Sequence, residues 1–153
     1  MPYDTDMQEM IFPSEAWRFI PQKPPFVFVT RLIRCEEGYA ETEFDVPRDC
    51  VLVSGGFLYE GGIAEFMAQS CAVYVGCRDF LAGRKEPQTG VLGAVSRMKI
   101  DLLPPAGCRL SCRVEVMGDF YGMLMFNARV CMDCGNVVKT VAEGRLTTSR
   151  LYE

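Results

Sequence analysis

One long apolar run with a single charge inside it most constrains how this chain folds. The run extends from Gly61 to Cys77, and its one charged residue is Glu65: GGIAEFMAQSCAVYVGC. A helix that is apolar on nearly every face is normally buried all round, and a carboxylate inside it must be paired, neutralised or used. The fold therefore has to enclose this helix, and Glu65 is the first candidate for a functional group.

The length and composition fit a single globular domain over residues 1–153. The net charge of −4 argues against a nucleic-acid partner. The apolar run is too short and too rich in glycine and polar residues to cross a membrane, and the N-terminal residues lack the pattern of a secretory signal. We therefore expect a cytoplasmic protein with neither a nucleic-acid nor a membrane partner.

The eight cysteines are expected to be reduced thiols that act as small buried residues, since no secretory signal precedes them. Cys131 and Cys134 form a CxxC pair, but the sequence contains no second such pair and no histidine. A closed zinc site needs four ligands of these types. We therefore expect no metal site and no cofactor.

Hydrophobic periodicity and turn residues predict one long helix among several strands. Ser14 is expected to cap a short helix that ends at Phe19. The long helix is expected over Gly61 to Leu81. The predicted strands are Phe26 to Cys35, Tyr39 to Val46, Val91 to Leu103, Cys108 to Gly118, Tyr121 to Met132 and Val137 to Ser149, with turns that predict a meander of the last four.

A single helix that is apolar all round has to be wrapped by its sheet, which predicts an α+β architecture. We expect a curved antiparallel sheet of about five to six strands around one long central helix. This arrangement is the hotdog fold.

Two segments of the chain carry motifs that matter for its classification: Ile20 to Phe26 reads IPQKPPF, and Ala64 to Gln69 reads AEFMAQ. Both resemble motifs of the hotdog-fold 3-hydroxyacyl-(acyl carrier protein) dehydratases. The first is similar to the Leu-Pro-His-Arg-Tyr-Pro-Phe of that family, and the second to the Glu-Ala-Met-Ala-Gln that opens its central helix. Arg97 to Gly107 is also similar to the family's next strand and Pro-Gly turn, so the resemblance spans nearly the whole chain.

The resemblance implies a catalytic pair of which this chain retains one member. In that family a histidine of the first motif removes the α-proton of the substrate, and the helix carboxylate of the other subunit of a dimer assists departure of the hydroxyl group. Glu65 falls on the carboxylate, whereas Gln22 falls on the histidine. The amide of Gln22 forms hydrogen bonds but cannot serve as a general base.

The resemblance also implies an acyl thioester or acyl carrier protein as the partner. The family presents a backbone N–H just before its helix to the thioester oxygen, and Gly61 and Gly62 occupy that place here, next to the extra carboxylate of Glu60. Phe26 and Gln69, in the two motifs, are the further candidates for substrate binding.

Two groups of side chains allow two interpretations each. One group either lines an acyl-chain tunnel or packs in the core. It consists of Met117, Met123, Met125, Met132, Phe120, Tyr121 and Phe126. The other group either meets the acidic surface of a carrier protein or forms a solvated face. It consists of Arg84, Lys85, Arg97, Lys99, Arg109 and Arg113.

Three functions remain open from the sequence. The first is a dehydratase in which Glu65 works with a histidine-bearing partner subunit in a heterodimer. The second is a non-catalytic homodimer that binds acyl groups or their carrier. The third is a thioesterase that uses Glu65, because some hotdog thioesterases act through a helix carboxylate.

Overall fold

A computed structural model of the chain describes residues 10–84 and 90–150, with side chains for 10–84 and 94–149. The elements are β1 (Ser14–Glu15), a 3-10 helix (Ala16–Phe19), β2 (Arg31–Glu36), β3 (Tyr39–Asp45), β4 (Val53–Ser54), β5 (Phe57–Leu58), α1 (Glu60–Leu81), β6 (Gly90–Ile100), β7 (Arg109–Phe120), β8 (Met123–Cys134) and β9 (Val137–Arg150). The predicted long helix therefore begins within one residue of its expected start.

The main sheet is antiparallel and has seven strands in the order β1-β2-β3-β7-β8-β9-β6. It wraps around α1, which confirms the expected α+β hotdog architecture. The sheet gains a strand over the expected number because Ser14 and Glu15 pair with Leu32 and Arg31 of β2. A separate hairpin of β4 and β5 lies in the loop before α1.

The prediction of a four-strand meander is wrong for its first strand. β7, β8 and β9 follow one another as neighbours, but β6 lies at the far edge and pairs with β9. β7 instead pairs with β3 along seven residues, from Asp45 opposite Arg109 to Tyr39 opposite Glu115. Turn residues such as Pro104 to Gly107 indicate that the chain reverses direction, but they do not specify which strand becomes the neighbour.

The prediction that Ser14 caps a short helix is also wrong. The residue that precedes the 3-10 helix is Glu15, and its side chain makes no cap hydrogen bond. The hydroxyl group of Ser14 instead donates to the carbonyl oxygen of Ile11, at 2.6 Å. Ser14 lies in the edge strand of the sheet, because its backbone pairs with β2.

The core lies between the inner face of the sheet and α1. In β7 the inner residues Leu110, Cys112 and Val114 alternate with exposed residues, as their parity in the sequence predicts. Aromatic rings join helix and sheet: the rings of Phe44 and Phe66 are 5.5 Å apart between centroids. Such pairs add to the apolar area that the helix buries.

The described cysteines are free thiols. Cys71 on α1 and Cys112 on β7 are buried in the core. Burial raises the pKa of the Cys112 thiol to about 12 and raises that of Cys71 well above its ordinary value. These two thiols therefore stay protonated near neutral pH and act as small apolar groups.

The side chain of Gln69 ties α1 to the segment that precedes β2. Gln69 is only 2% exposed. Its Oε1 accepts a hydrogen bond from the backbone N–H of Phe28 at 2.7 Å, and its Nε2 donates to the carbonyl oxygen of Phe26 at 2.8 Å. One amide therefore satisfies two backbone groups in a segment that has no strand neighbour to do so. This segment carries the first sequence motif, and its position on the helix is fixed by this contact.

α1 also approaches the N-terminal 3-10 helix closely through a glycine. A Cβ atom on Gly76 would overlap the carbonyl oxygen of Phe19 and lie 3.0 Å from its Cβ. Only a residue without a side chain allows this contact.

No helix among the residues described is long and apolar enough to cross a membrane.

Replacing Gly76 with alanine is expected to destabilise the fold by about 1 to 3 kcal/mol, because overlap with backbone atoms forces α1 away from the 3-10 helix. Chemical denaturation measures the change. The control is Gly144→Ala, where the nearest atom to an added Cβ is the flexible Sδ of Met98 at 3.2 Å. Equal stability of the two variants would contradict the close approach.

The variant Gln69→Leu is expected to lose about 2 to 4 kcal/mol, because two backbone groups of the Phe26 to Phe28 segment lose their partner. Hydrogen exchange of the Phe28 amide should accelerate beyond what global unfolding explains. Gln22→Leu, at an exposed position in the same segment, should change stability by less than about 0.5 kcal/mol. Unchanged protection of the Phe28 amide in Gln69→Leu would show that the tie is not needed.

Candidate functional site

α1 is not buried on all sides within one chain, and Glu65 lies on its open face. Gly61 and Glu65 are exposed, and Ala64, Ala68 and Ala72 are half-buried. These positions recur at helical spacing and form one stripe of small residues around the carboxylate. The expectation that this helix is enclosed on every face is therefore wrong for the single chain, because small residues are apolar in the sequence without being covered in the fold.

Glu65 has no partner within the described part of the chain. Neither an ion pair nor a hydrogen bond joins its carboxylate to another of these residues, and its neighbours Phe66 and Met67 are fully buried. The backbone at this point is thus fixed by core packing while the carboxylate faces outward. Glu65 is available to a group outside the chain.

Gln22 is also exposed, in the segment that Gln69 ties to the helix. Lys23 and Phe26 are exposed in the same segment, and Phe26 is exposed to 59% although its ring is large and apolar. No hydrogen bond joins Gln22 to Glu65 in the chain as described. The two predicted catalytic positions therefore do not form a pair within one chain.

The two glycines before the apolar run differ in what their backbone N–H groups do. The N–H of Gly62 donates to the carbonyl oxygen of Tyr59 at 2.9 Å, so it is already bonded. Gly61 is exposed, and within the described residues its N–H makes no backbone hydrogen bond. Gly61 thus presents a donor at the positive end of a long helix, one turn before Glu65.

Gly62 is required for a packing reason. A Cβ atom at this position would overlap the side chain of Leu58 and lie 3.2 Å from the Cβ of Leu52. The start of α1 therefore packs closely against the hairpin of β4 and β5. This contact fixes the positions of Glu60 and Gly61.

The predicted tunnel residues do not share one surface. Phe126 is fully buried and Met132 is 8% exposed in the core. Met117, Phe120, Tyr121 and Met123 are exposed around the turn between β7 and β8. Core packing accounts for the first two, and within one chain the others do not enclose a tunnel.

Of the predicted basic surface, Arg97 and Arg113 lie on the outer face of the sheet, and Lys85 lies outside the described residues. Arg109 is paired with Asp45, at 2.9 Å between Nε and Oδ1.

Among the residues described, no group of three or more metal-ligating side chains is present.

Sequence reasoning placed Gln69 among the substrate-binding candidates and missed its contact with the backbone. Its amide is occupied by Phe26 and Phe28. Substrate binding by Gln69 stays a prediction. The open face of α1 was also missed, although its signal was present in the spacing of Gly61, Ala64, Ala68 and Ala72.

Comparison with known proteins gives a family and a set of similar folds. Residues 14–151 match the model of the ApeP-like family, described as ApeP dehydratase. A search of curated proteins gave no match.

Among solved structures, the dehydratase heterocomplex ApeI:P from Xenorhabdus doucetiae is similar with a TM-score of 0.82, at 17% identity and 94% coverage of each chain. An uncharacterised protein, PH1136, from Pyrococcus horikoshii has a TM-score of 0.65 at 18% identity, covering 94% of this chain and 97% of its own. A hypothetical thioesterase with coenzyme A from Streptococcus pneumoniae has a TM-score of 0.60 at 14% identity, covering 80% and 85%.

At these identities the similar structures show the hotdog fold that dehydratases and thioesterases share. The family model goes further, because it extends from β1 to beyond β9 and so covers both sequence motifs and every described element of the sheet. The chain belongs to the ApeP-like dehydratase family.

Proposed function

We propose that this chain is one subunit of a heterodimeric dehydratase that removes water from a 3-hydroxyacyl thioester carried by an acyl carrier protein. Glu65 supplies the carboxyl group, and a histidine of the partner subunit supplies the base. The observation that carries the proposal is the exposed carboxylate of Glu65, which has no partner among the described residues of a chain that contains no histidine.

The open face of α1 supports a second subunit at this site. A stripe of alanine and glycine lets another backbone or side chain come close to the helix, and covering it would take the carboxylate out of water. The similar structure from Xenorhabdus is a dehydratase heterocomplex, which supports a pairing of two unlike subunits here.

In this assembly the elimination divides between the two subunits. The partner's histidine removes the proton from C2 of the substrate, and the electrons of that bond form the C2–C3 double bond. The C3–O bond breaks, and the leaving oxygen takes the proton of the Glu65 carboxyl group and departs as water. Glu65 regains a proton and the histidine loses one before the next turnover, so the sum is one enoyl thioester and one water.

The N–H of Gly61 is suited to the thioester carbonyl oxygen. The proton that leaves C2 becomes acidic only when negative charge on that oxygen is stabilised. A free backbone donor at a helix N-terminus supplies such stabilisation without reorganisation. Phe26 offers an exposed apolar ring for the acyl chain.

The second site of the same heterodimer would contain Gln22 in the place of the histidine. An amide does not accept a proton near neutral pH, so this site is inactive. The heterodimer thus works with one active site. If no partner completes the site, the exposed Gln22 favours the alternative function. This alternative is a non-catalytic homodimer that binds the acyl carrier protein.

The chain alone is expected to be inactive, and its mixture with a histidine-bearing hotdog dehydratase subunit is expected to dehydrate a 3-hydroxyacyl carrier-protein thioester. Glu65→Gln should lower the rate of the mixture by at least about 100-fold, because the proton donor is lost. Glu60→Gln removes an exposed carboxylate from the first turn of the same helix and should leave the rate unchanged. The rate of enoyl formation and the release of free thiol are measured together.

The other outcomes separate the competing functions. Thiol release by the chain alone, abolished by Glu65→Gln, would make it a thioesterase. Carrier binding without either reaction would support the scaffold. Efficient dehydration by the chain alone would contradict the role assigned to Gln22.

The substitution Gln22→His should give the chain measurable dehydratase activity by itself, because a self-associated pair would then contain both groups. We expect a rise of about 100-fold over the background of the unchanged chain. The double variant Gln22→His with Glu65→Gln should return to background. A gain that survives the loss of Glu65 would show that the new histidine acts elsewhere.

A further inference from the structure

The outer face of the sheet carries a polar groove of about 410 Å³ across β6, β7, β8 and β9. We call it the arginine groove. Its charged lining consists of Arg97, Arg113, Arg129, Arg145, Glu115 and Glu143. Arg113 lies between Cys112 and Val114, which face the core, so the groove opens on the side of the sheet away from α1. It is therefore separate from the Glu65 site and does not depend on the function proposed for it.

Two of the four arginines are neutralised within the chain. The guanidinium of Arg113 contacts Glu41 at 2.7 Å and Glu115 at 2.6 Å, and it lies 4.2 Å from the ring centre of Tyr39. Arg129 pairs with Glu143 at 3.3 Å. Glu115 and Glu143, the two acidic residues of the groove, are therefore both paired with arginine.

The other two arginines, Arg97 and Arg145, have no such partner. Among the side chains described, those of residues 10–84 and 94–149, neither forms an ion pair with a carboxylate. Nε of Arg145 donates to the neutral Oδ1 of Asn127 at 3.3 Å. This bond orients the guanidinium without cancelling its charge. The groove therefore keeps an excess of positive charge in a protein whose net charge is −4.

Arg97 has a strained backbone conformation and lies at a bulge that places it in the groove. Its φ of 51° lies in the left-handed region that residues with a Cβ rarely adopt. The register between β6 and β9 shifts here: Ser96 lies opposite Arg145 and Lys99 opposite Glu143. This bulge takes up an extra residue in β6 and places Arg97 in the groove lining. Bulges and strained residues of this kind concentrate at functional positions.

We propose that the arginine groove is a binding site for a phosphate group, held between Arg97 and Arg145 with Asn127 as a further donor. A guanidinium presents paired N–H donors that match the oxygens of phosphate. The volume of the groove suits a small phosphorylated molecule. The carboxylates of Glu115 and Glu143 lie at the same site and would repel an extended acidic surface of a protein. They therefore favour one compact anion as the ligand.

The test measures binding of inorganic phosphate and of ribose 5-phosphate to the purified chain by calorimetry at constant ionic strength. Both are expected to bind and to compete with each other, and the sugar phosphate should bind more tightly if the site takes a phosphorylated metabolite. Equal affinity for the two would assign the site to the free ion. Both results support a phosphate site.

Arg145→Gln should weaken binding at least about tenfold, because it removes one charge and keeps a polar side chain. Arg97→Gly should weaken it by a similar factor while preserving or raising the melting temperature, since glycine adopts the positive φ without strain. The control Arg109→Gln removes an outer-face arginine that is paired with Asp45, and it should leave binding unchanged.

Absence of phosphate binding, or equal weakening by Arg109→Gln, would overturn the proposal. Binding that survives both Arg97→Gly and Arg145→Gln would place the anion elsewhere. Tight binding of an acidic peptide in preference to both phosphates would make the groove a protein-docking surface instead.

Discussion

The amide of Gln69 holds together α1, which carries Glu65, and the segment before β2, which carries Gln22. It bonds to the backbone of Phe26 and Phe28, and it lies one helical turn after Glu65 on α1. The segment before β2 is thereby fixed to the helix although no strand pairs with it over these residues. A buried amide that satisfies two otherwise unpaired backbone groups is costly to replace. The same contact fixes the position of the loop that carries Gln22.

The helix that the sheet wraps is closed on one side and open on the other. Phe66 and Met67 fill the core, whereas Gly61, Glu65 and the alanines between and after them reach the surface. A surface of small residues around a carboxylate contributes little to the stability of a single chain. Such a surface would allow close contact with another chain, which the proposed heterodimer requires. The outer face of the sheet, with its paired and unpaired arginines, is chemically a different surface.

The sequence was sufficient for the elements whose signal is local. The alternation of apolar and polar residues in β7 indicates which of them face the core, and the apolar run predicted α1 to within one residue of its start. The neighbour of β6 was not predictable from turn residues, because pairing with β9 depends on contacts between distant strands. The contacts of Gln69 join residues separated by 41 and 43 positions, which no local pattern reports. The open face was misjudged because alanine and glycine count as apolar whether or not they are covered.

Predicting the site was harder than predicting the fold for a related reason. Family resemblance pointed to Glu65 and Gln22, but no hydrogen bond joins the two residues in the part of the chain that the structure describes. The exposed N–H of Gly61 and the bonded N–H of Gly62 are distinguished only by the first turn of the folded helix. Sequence alone treats the two glycines alike.

In the proposed heterodimer the working carboxyl group belongs to this chain and the working histidine to its partner. The most direct measurement is the dehydration rate of a heterodimer in which the partner subunit's own helix carboxylate is replaced by the amide while Glu65 is kept. We expect a rate close to that of the unchanged heterodimer, because in the proposed assembly that carboxylate faces Gln22 in the inactive site. Loss of activity in this heterodimer would show instead that the reaction proceeds at the site that contains Gln22.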